Sequence, residues 1–280
     1  MGGIRELLGG RGLVESPRWH GDRLYVSDWS AGEVVAVGLD GSVVVVARVA
    51  SLPLCTAWLP DDRLVIVSST DGRLLRREPD GTLVTQADLG RPGWNDIVSD
   101  GRGNVYVNGP GFNAMNGEPF RPGSVLLVAA DGSVRPVADD IAFPNGMAVT
   151  ADNSTLIVAD SYRHSLVAFD IDADGGLSNR RVWADLGDGV PDGICVDVQD
   201  AVWYADVPNQ RCVRVAEGGK VLRTVALDRG GFACALGGPD RTSLFVTTAT
   251  WQGMTEPEMV TPGSGQVLII HVDVPGAGWP

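Results

Sequence analysis

The chain has 280 residues, 44% hydrophobic and 20% charged, with a formal net charge of −13 from 35 acidic and 22 basic side chains. This leaves ample apolar material for a core, no basic run to hold nucleic-acid phosphates, and nothing near the roughly 18 apolar residues of a membrane helix. A soluble protein acting on a small molecule is expected, with neither nucleic acid nor membrane as partner, as a monomer or weak homodimer.

Taken in order, residues 1–14 (MGGIRELLGGRGLV) lack the basic and apolar regions of an export signal, which suggests a cytoplasmic protein. The segment from Ile4 to Val14 precedes the first repeat and is placed as an outer strand that closes the last one. Next comes ESPRW, with Glu15 in an apolar context, and then the strand RLYVSD from Arg23. Five similar strands follow: RLVIVS from Arg63, NVYVN from Asn104, TLIVAD from Thr155, AVWYAD from Ala201 and SLFVTT from Ser243. Between Leu24, Leu64, Val105, Leu156, Val202 and Leu244 the steps are 40, 41, 51, 46 and 42 residues, which is a repeat. Most units continue with two further strands joined by Asp-Gly or Gly-Gly, a strong short-range hairpin signal.

No run of ten residues has convincing helical spacing. Six units of this length predict an all-β, six-bladed β-propeller: four-stranded antiparallel blades around a central channel, forming one domain over residues 1–280. A β-sandwich or two stacked barrels would be the alternatives. The 51-residue step reflects an insertion from Asn108 to Gly123 that carries Phe112, Met115 and Phe120. A second irregular stretch runs from Ala249 to Gly265. Both are read as lids over a site. The acidic run from Phe169 to Gly176 resembles half of an EF-hand loop, but it lacks the closing glutamate and flanking helices, so it is read as a hairpin turn. Cys55, Cys195, Cys212 and Cys234 show no CxxC spacing and are expected to be buried free thiols.

Four short motifs put an oxygen-bearing side chain at a matching station of a unit: Glu15 in ESPRW, Asn95 with Asp96 in WND, Asn145 in FPNGM and Asp192 in PDGI. An unpaired carboxylate or amide in an apolar strand costs several kcal/mol, so each needs a partner. In a ring of blades these stations converge at one end of the channel. Glu15, Asn145 and Asp192, completed by water, would form an all-oxygen shell for one divalent cation. Ca²⁺ suits it best, then Mg²⁺ or Mn²⁺. His20, His164 and His271 have no metal-like spacing, which disfavours a zinc site built mainly on imidazole, although Zn²⁺ itself stays possible. Trp94 and Trp251 are the tryptophans placed near the substrate.

ESPRW, WND, FPNGMAVTADNSTLIVADS and PDGICVD, in that order, resemble the SMP-30/gluconolactonase/LRE (regucalcin-like) family from roughly Leu13 to Gly253. The resemblance implies a six-bladed propeller with one axial divalent cation and lactone hydrolysis as the type reaction. By motif, Glu15, Asn145 and Asp192 correspond to the metal ligands, Asn95 to a substrate contact beside the metal, and Asp192 also to the acid/base. Sugar-lactone members commonly carry arginine where this chain has Gly93, a departure that turns the expectation toward a less polar lactone or ester. An esterase or phosphotriesterase, a propeller lyase, and a non-catalytic small-molecule or calcium binder remain the alternatives.

Overall fold

The computed structural model describes residues 3–256 and 258–277. They form six four-stranded antiparallel sheets, each a meander whose first strand is innermost. Blade one is β2 (Val14–His20), β3 (Arg23–Asp28), β4 (Glu33–Val37) and β5 (Val43–Arg48), and blades two to five repeat this plan as far as β21 (Val221–Ala226). The last blade is built from both ends of the chain. β1 (Arg5–Arg11) pairs antiparallel with β24 (Gly265–His271), outside β23 (Ser243–Ala249) and β22 (Gly230–Gly237), as placed from sequence. This circular closure leaves no blade interface open. The only helical element among the described residues is a single 3-10 turn, Ser161–Arg163.

The strand sequences follow from position in the blade. Second strands such as LVIVS (β7, Leu64–Ser68) and VWYAD (β19, Val202–Asp206) are buried along their whole length, because neighbouring blades cover both faces. Outer strands such as β5 expose most residues, and in β5 only Ala47 is buried. Six apolar clusters fill the six blade-to-blade contacts; one of them joins Leu74 and Val67 to Ile97 and Val105, and another joins Trp203 and Cys212 to Leu244 and Ile270. No sheet therefore buries its apolar surface alone, and stability is shared round the ring.

The innermost strands β2, β6 (Leu54–Trp58), β10 (Ile97–Ser99), β14 (Pro144–Val149), β18 (Pro191–Val196) and β22 touch in sequence around the channel. The approach is close enough to dictate residue type. A Cβ on Gly146 would lie 2.6 Å from the backbone of Asp192, Gly193 and Ile194. One on Gly193 would lie 2.5 Å from Cα of Ala233. The glycine after Asn145 and after Asp192 thus lets adjacent inner strands meet, which explains the shared Asn-Gly and Asp-Gly pattern.

The Asp-rich run is a hairpin turn, as read. Asp170 accepts from Asn179 and Arg181, Asp172 from Ser178, and Asp174 from Gly176 N–H and Arg135. All four cysteines are free; Cys55, Cys212 and Cys234 are buried, and Cys195 is half-buried with its sulfur 3.7 Å from that of Cys234.

Candidate active site

At one end of the channel lies a cavity of about 640 Å³ with a polar floor. Glu15, Asn95, Asn145 and Asp192 all line it, so residues spread over 178 positions meet at one place. Glu15, Asn145 and Asp192 each stand at the start of an innermost strand, and Asn95 stands two residues before one. Glu15 is the second residue of β2, just before a bulge at which Ser16 takes a left-handed φ of 51°. Ser16 is held there by β6: its hydroxyl accepts from Thr56 N–H at 2.9 Å and donates to Thr56 O at 3.3 Å. Asn145 follows a turn tied down by Asp160, whose carboxylate accepts from the N–H groups of Ala142 (2.9 Å) and Phe143 (3.0 Å). The second residue of β18 is Asp192.

The amides form a rigid frame. Asn95 Nδ2 donates to Asn145 Oδ1 at 3.1 Å, Asn145 Nδ2 donates to Ser161 Oγ at 3.4 Å, and Ser161 Oγ donates to Pro191 O at 2.6 Å. Asn108, from the next strand, donates its side-chain N–H to Asn145 O and accepts from Asp96 N–H at 3.3 Å.

Glu15 is not framed in this way: it is buried, and among the described residues its only hydrogen bond is from the N–H of neighbouring Ser16, at 3.0 Å. Desolvation, reinforced by nearby Asp96, pushes its pKa up to about 8. Desolvation likewise raises Asp192 well above the usual carboxylate range, with the Glu15 charge next in weight. Among the described residues neither acid forms a salt bridge. Two buried carboxylates whose charged forms are both disfavoured by desolvation would gain from a cation between them. The donors on offer, two carboxylates and a carboxamide oxygen, fit a hard divalent ion. Among the described residues no three of His, Cys, Asp and Glu cluster as metal ligands, so amide oxygen and water would have to complete any shell.

That shift has a testable consequence. The folded protein without metal holds a proton on Glu15 that the unfolded chain gives up at its ordinary value of 4.5. This contribution is present at low pH and is lost as pH rises from about 4.5 through 8. In chelator, stability should therefore fall across that window, by on the order of a few kcal/mol. Thermal melts at pH 6 and pH 8.5 should show the drop, and added Ca²⁺ should remove it; equal melting temperatures in chelator would refute the shift.

One expected contact is corrected. Trp94 does not line the cavity: its ring is buried in the cluster between blades two and three, and Nε1 donates to Leu89 O at 3.2 Å. Asp96 reaches the cavity floor, but both its oxygens are engaged. Oδ1 accepts from Arg18 at 3.3 Å and Oδ2 from Met147 N–H at 3.0 Å. It braces the floor that it lines. Trp251 does line the cavity, edge-to-face with Phe232.

Sequence reasoning missed Arg18, the buried cation that joins blades one and three: Nη2 also donates to Ile97 O at 2.9 Å and Nη1 to Pro17 O at 3.0 Å. ESPRW contains it, but nothing local reveals a partner 78 residues away. His164 lies outside the cavity, with Nδ1 3.0 Å from Gly189 O.

Fold and floor together define a six-bladed propeller with a single acidic, amide-framed site at one channel mouth. The chain belongs to the SMP-30/gluconolactonase/LRE-like family, whose model matches residues 13–250. It is 30% identical to regucalcin from Gallus gallus over 263 residues, 85% of this chain and 83% of that one. It is also 30% identical to a 6-deoxy-6-sulfogluconolactonase from Pseudomonas putida over 162 residues, 56% of each. A solved regucalcin from Agrobacterium tumefaciens, described as a calcium-binding protein, superposes with a TM-score of 0.81 at 22% identity, covering 98% of this chain and 95% of that one, which shows the shared fold.

Proposed function

We propose that this protein opens lactones by hydrolysis, using one divalent cation, with Ca²⁺ favoured, held by Glu15, Asn145 and Asp192. The carrying observation is the pair of desolvated acids, Glu15 and Asp192, which share a cavity floor where the one nearby cation, Arg18, is paired with Asp96. The family and a relative named as a lactonase support the same reading.

When bound, such a cation polarises the lactone carbonyl and stabilises the oxyanion that develops there. Asp192 takes a proton from the water that attacks the carbonyl carbon. It returns the proton to the ring oxygen as the C–O bond breaks, leaving a hydroxy acid. Asn95, fixed by its bond to Asn145, presents its remaining N–H and its carbonyl oxygen to the substrate without adding charge. Burial raises the Asp96 carboxyl, and Arg18, 3.3 Å away, offsets part of that shift and braces the side chain.

The test is a lactonase assay on chelator-stripped protein, with Ca²⁺, Mg²⁺, Mn²⁺ and Zn²⁺ restored one at a time. Turnover should be absent in chelator and return with at least one ion, most strongly Ca²⁺. No opening of any lactone with any ion would favour a non-catalytic binder.

A further inference from the structure

The walls above the polar floor differ sharply from it. The insertion between β11 (Val105–Gly109) and β12 (Gly123–Val128) brings in Phe112 and Met115, the strap after β23 brings in Trp251, Met254 and Met259, and the turn before β14 adds Phe143. Phe112 packs edge-on against Phe143 (centroids 6.1 Å apart) and Phe120 (5.6 Å), and Tyr162 stacks on Phe143 at 4.7 Å. Phe120 and Tyr162 are 54% and 47% exposed, so the aromatic cluster continues out to solvent from a cavity residue.

Polar groups on these walls are largely occupied. Arg91 stacks over Trp94 at 4.0 Å and donates to Pro92 O (2.9 Å) and Pro110 O (3.1 Å). Arg121 pairs with Glu118 at 3.3 Å. Gly93 has φ +88°, and a Cβ there would lie 3.3 Å from Arg91 Nη1, so this backbone does not favour a second arginine. A polyhydroxylated lactone would leave several hydroxyls desolvated against carbon and sulfur, whereas an alkyl or aryl group would fill the same space favourably.

We propose that the substrate is a lactone carrying an apolar substituent, alkyl or aryl, with the ring on the polar floor and the substituent against the Phe112–Met115–Trp251–Met254 wall. This rests on the lactonase reading above and narrows its substrate class. Methionine-rich walls repack around different chains, so a range of chain lengths is accepted.

The test uses cation-restored protein and γ-lactones of one ring size, with side chains from methyl to heptyl, beside glucono-δ-lactone. Burying one methylene is worth roughly three- to fourfold in affinity. The expected result is a kcat/KM that climbs by about that factor per carbon before levelling, with the sugar lactone at least about tenfold below the heptyl compound. Phe112→Ser and Met254→Ser, each checked for an unchanged melting profile, should flatten that slope. In chelator-stripped protein, tryptophan fluorescence should show the same lactones binding more tightly as the chain lengthens. A flat or inverted slope, or preference for glucono-δ-lactone, overturns the apolar assignment and leaves lactone opening intact. Failure to open any lactone sinks the parent reading instead.

Discussion

Asp192→Asn is expected to abolish the proposed lactone opening to within the detection limit of a steady-state assay, a loss of at least about 10³-fold in kcat/KM. Proton transfer by a placed side chain contributes about 10²- to 10⁴-fold, and this side chain is proposed to act twice in each turnover. The same change removes one of two carboxylates from the proposed ion shell, so the losses compound. The fold should persist, because among the described residues Asp192 has neither a salt bridge nor a role in the blade-to-blade clusters. Relief of crowding with Glu15 should even leave the metal-free variant slightly more stable at pH 8. Wild-type turnover in a well-folded Asp192→Asn protein would remove it from the mechanism.

Arg18→Met acts on the opposite property. Arg18 and Asp96 are both buried, 5% and 8% exposed, and their 3.3 Å contact spans the channel floor from blade one to blade three. Methionine matches the length of the stem but leaves Asp96 a desolvated carboxylate with one N–H partner. Breaking a buried pair from one side costs about 3–5 kcal/mol, readable as a shift in the midpoint of a urea titration. Asp96→Leu added to Arg18→Met should recover much of the loss, since well-packed apolar residues can replace both charges. If Arg18→Met unfolds at the wild-type midpoint, the pair is not the brace described.

The propeller was legible because its repeat is written in alternation and turns. Asp40-Gly41, Asp80-Gly81 and Asp131-Gly132 sit at hairpins, and the second strands carry unbroken apolar runs because both faces are covered. The floor was legible for the same reason: Glu15, Asn145 and Asp192 occupy one station of the repeat, and a closed ring forces equal stations together. The error at Trp94 arose within one residue of a correct position: chain alternation sends neighbours to opposite sides, so Trp94 enters the core while Asn95 lines the cavity. The apolar walls belong to segments outside the repeat, Asn108 to Gly123 and Ala249 to Gly265, whose residues have no counterpart in other blades. Reading those stretches as lids foretold that they border the cavity; which of their side chains face it depended on tertiary packing, such as Phe112 on Phe143.

The most direct measurement is calorimetric titration of Ca²⁺ and Mn²⁺ into chelator-stripped protein, run beside Glu15→Gln and Asp192→Asn. The account predicts one ion per chain for the wild type, released by chelator, and at least about tenfold weaker binding in each variant, since each loses one of two ligand charges. Undiminished binding in both variants would place any ion elsewhere, and no binding to the wild type would leave the two buried acids without the partner on which the chemistry depends.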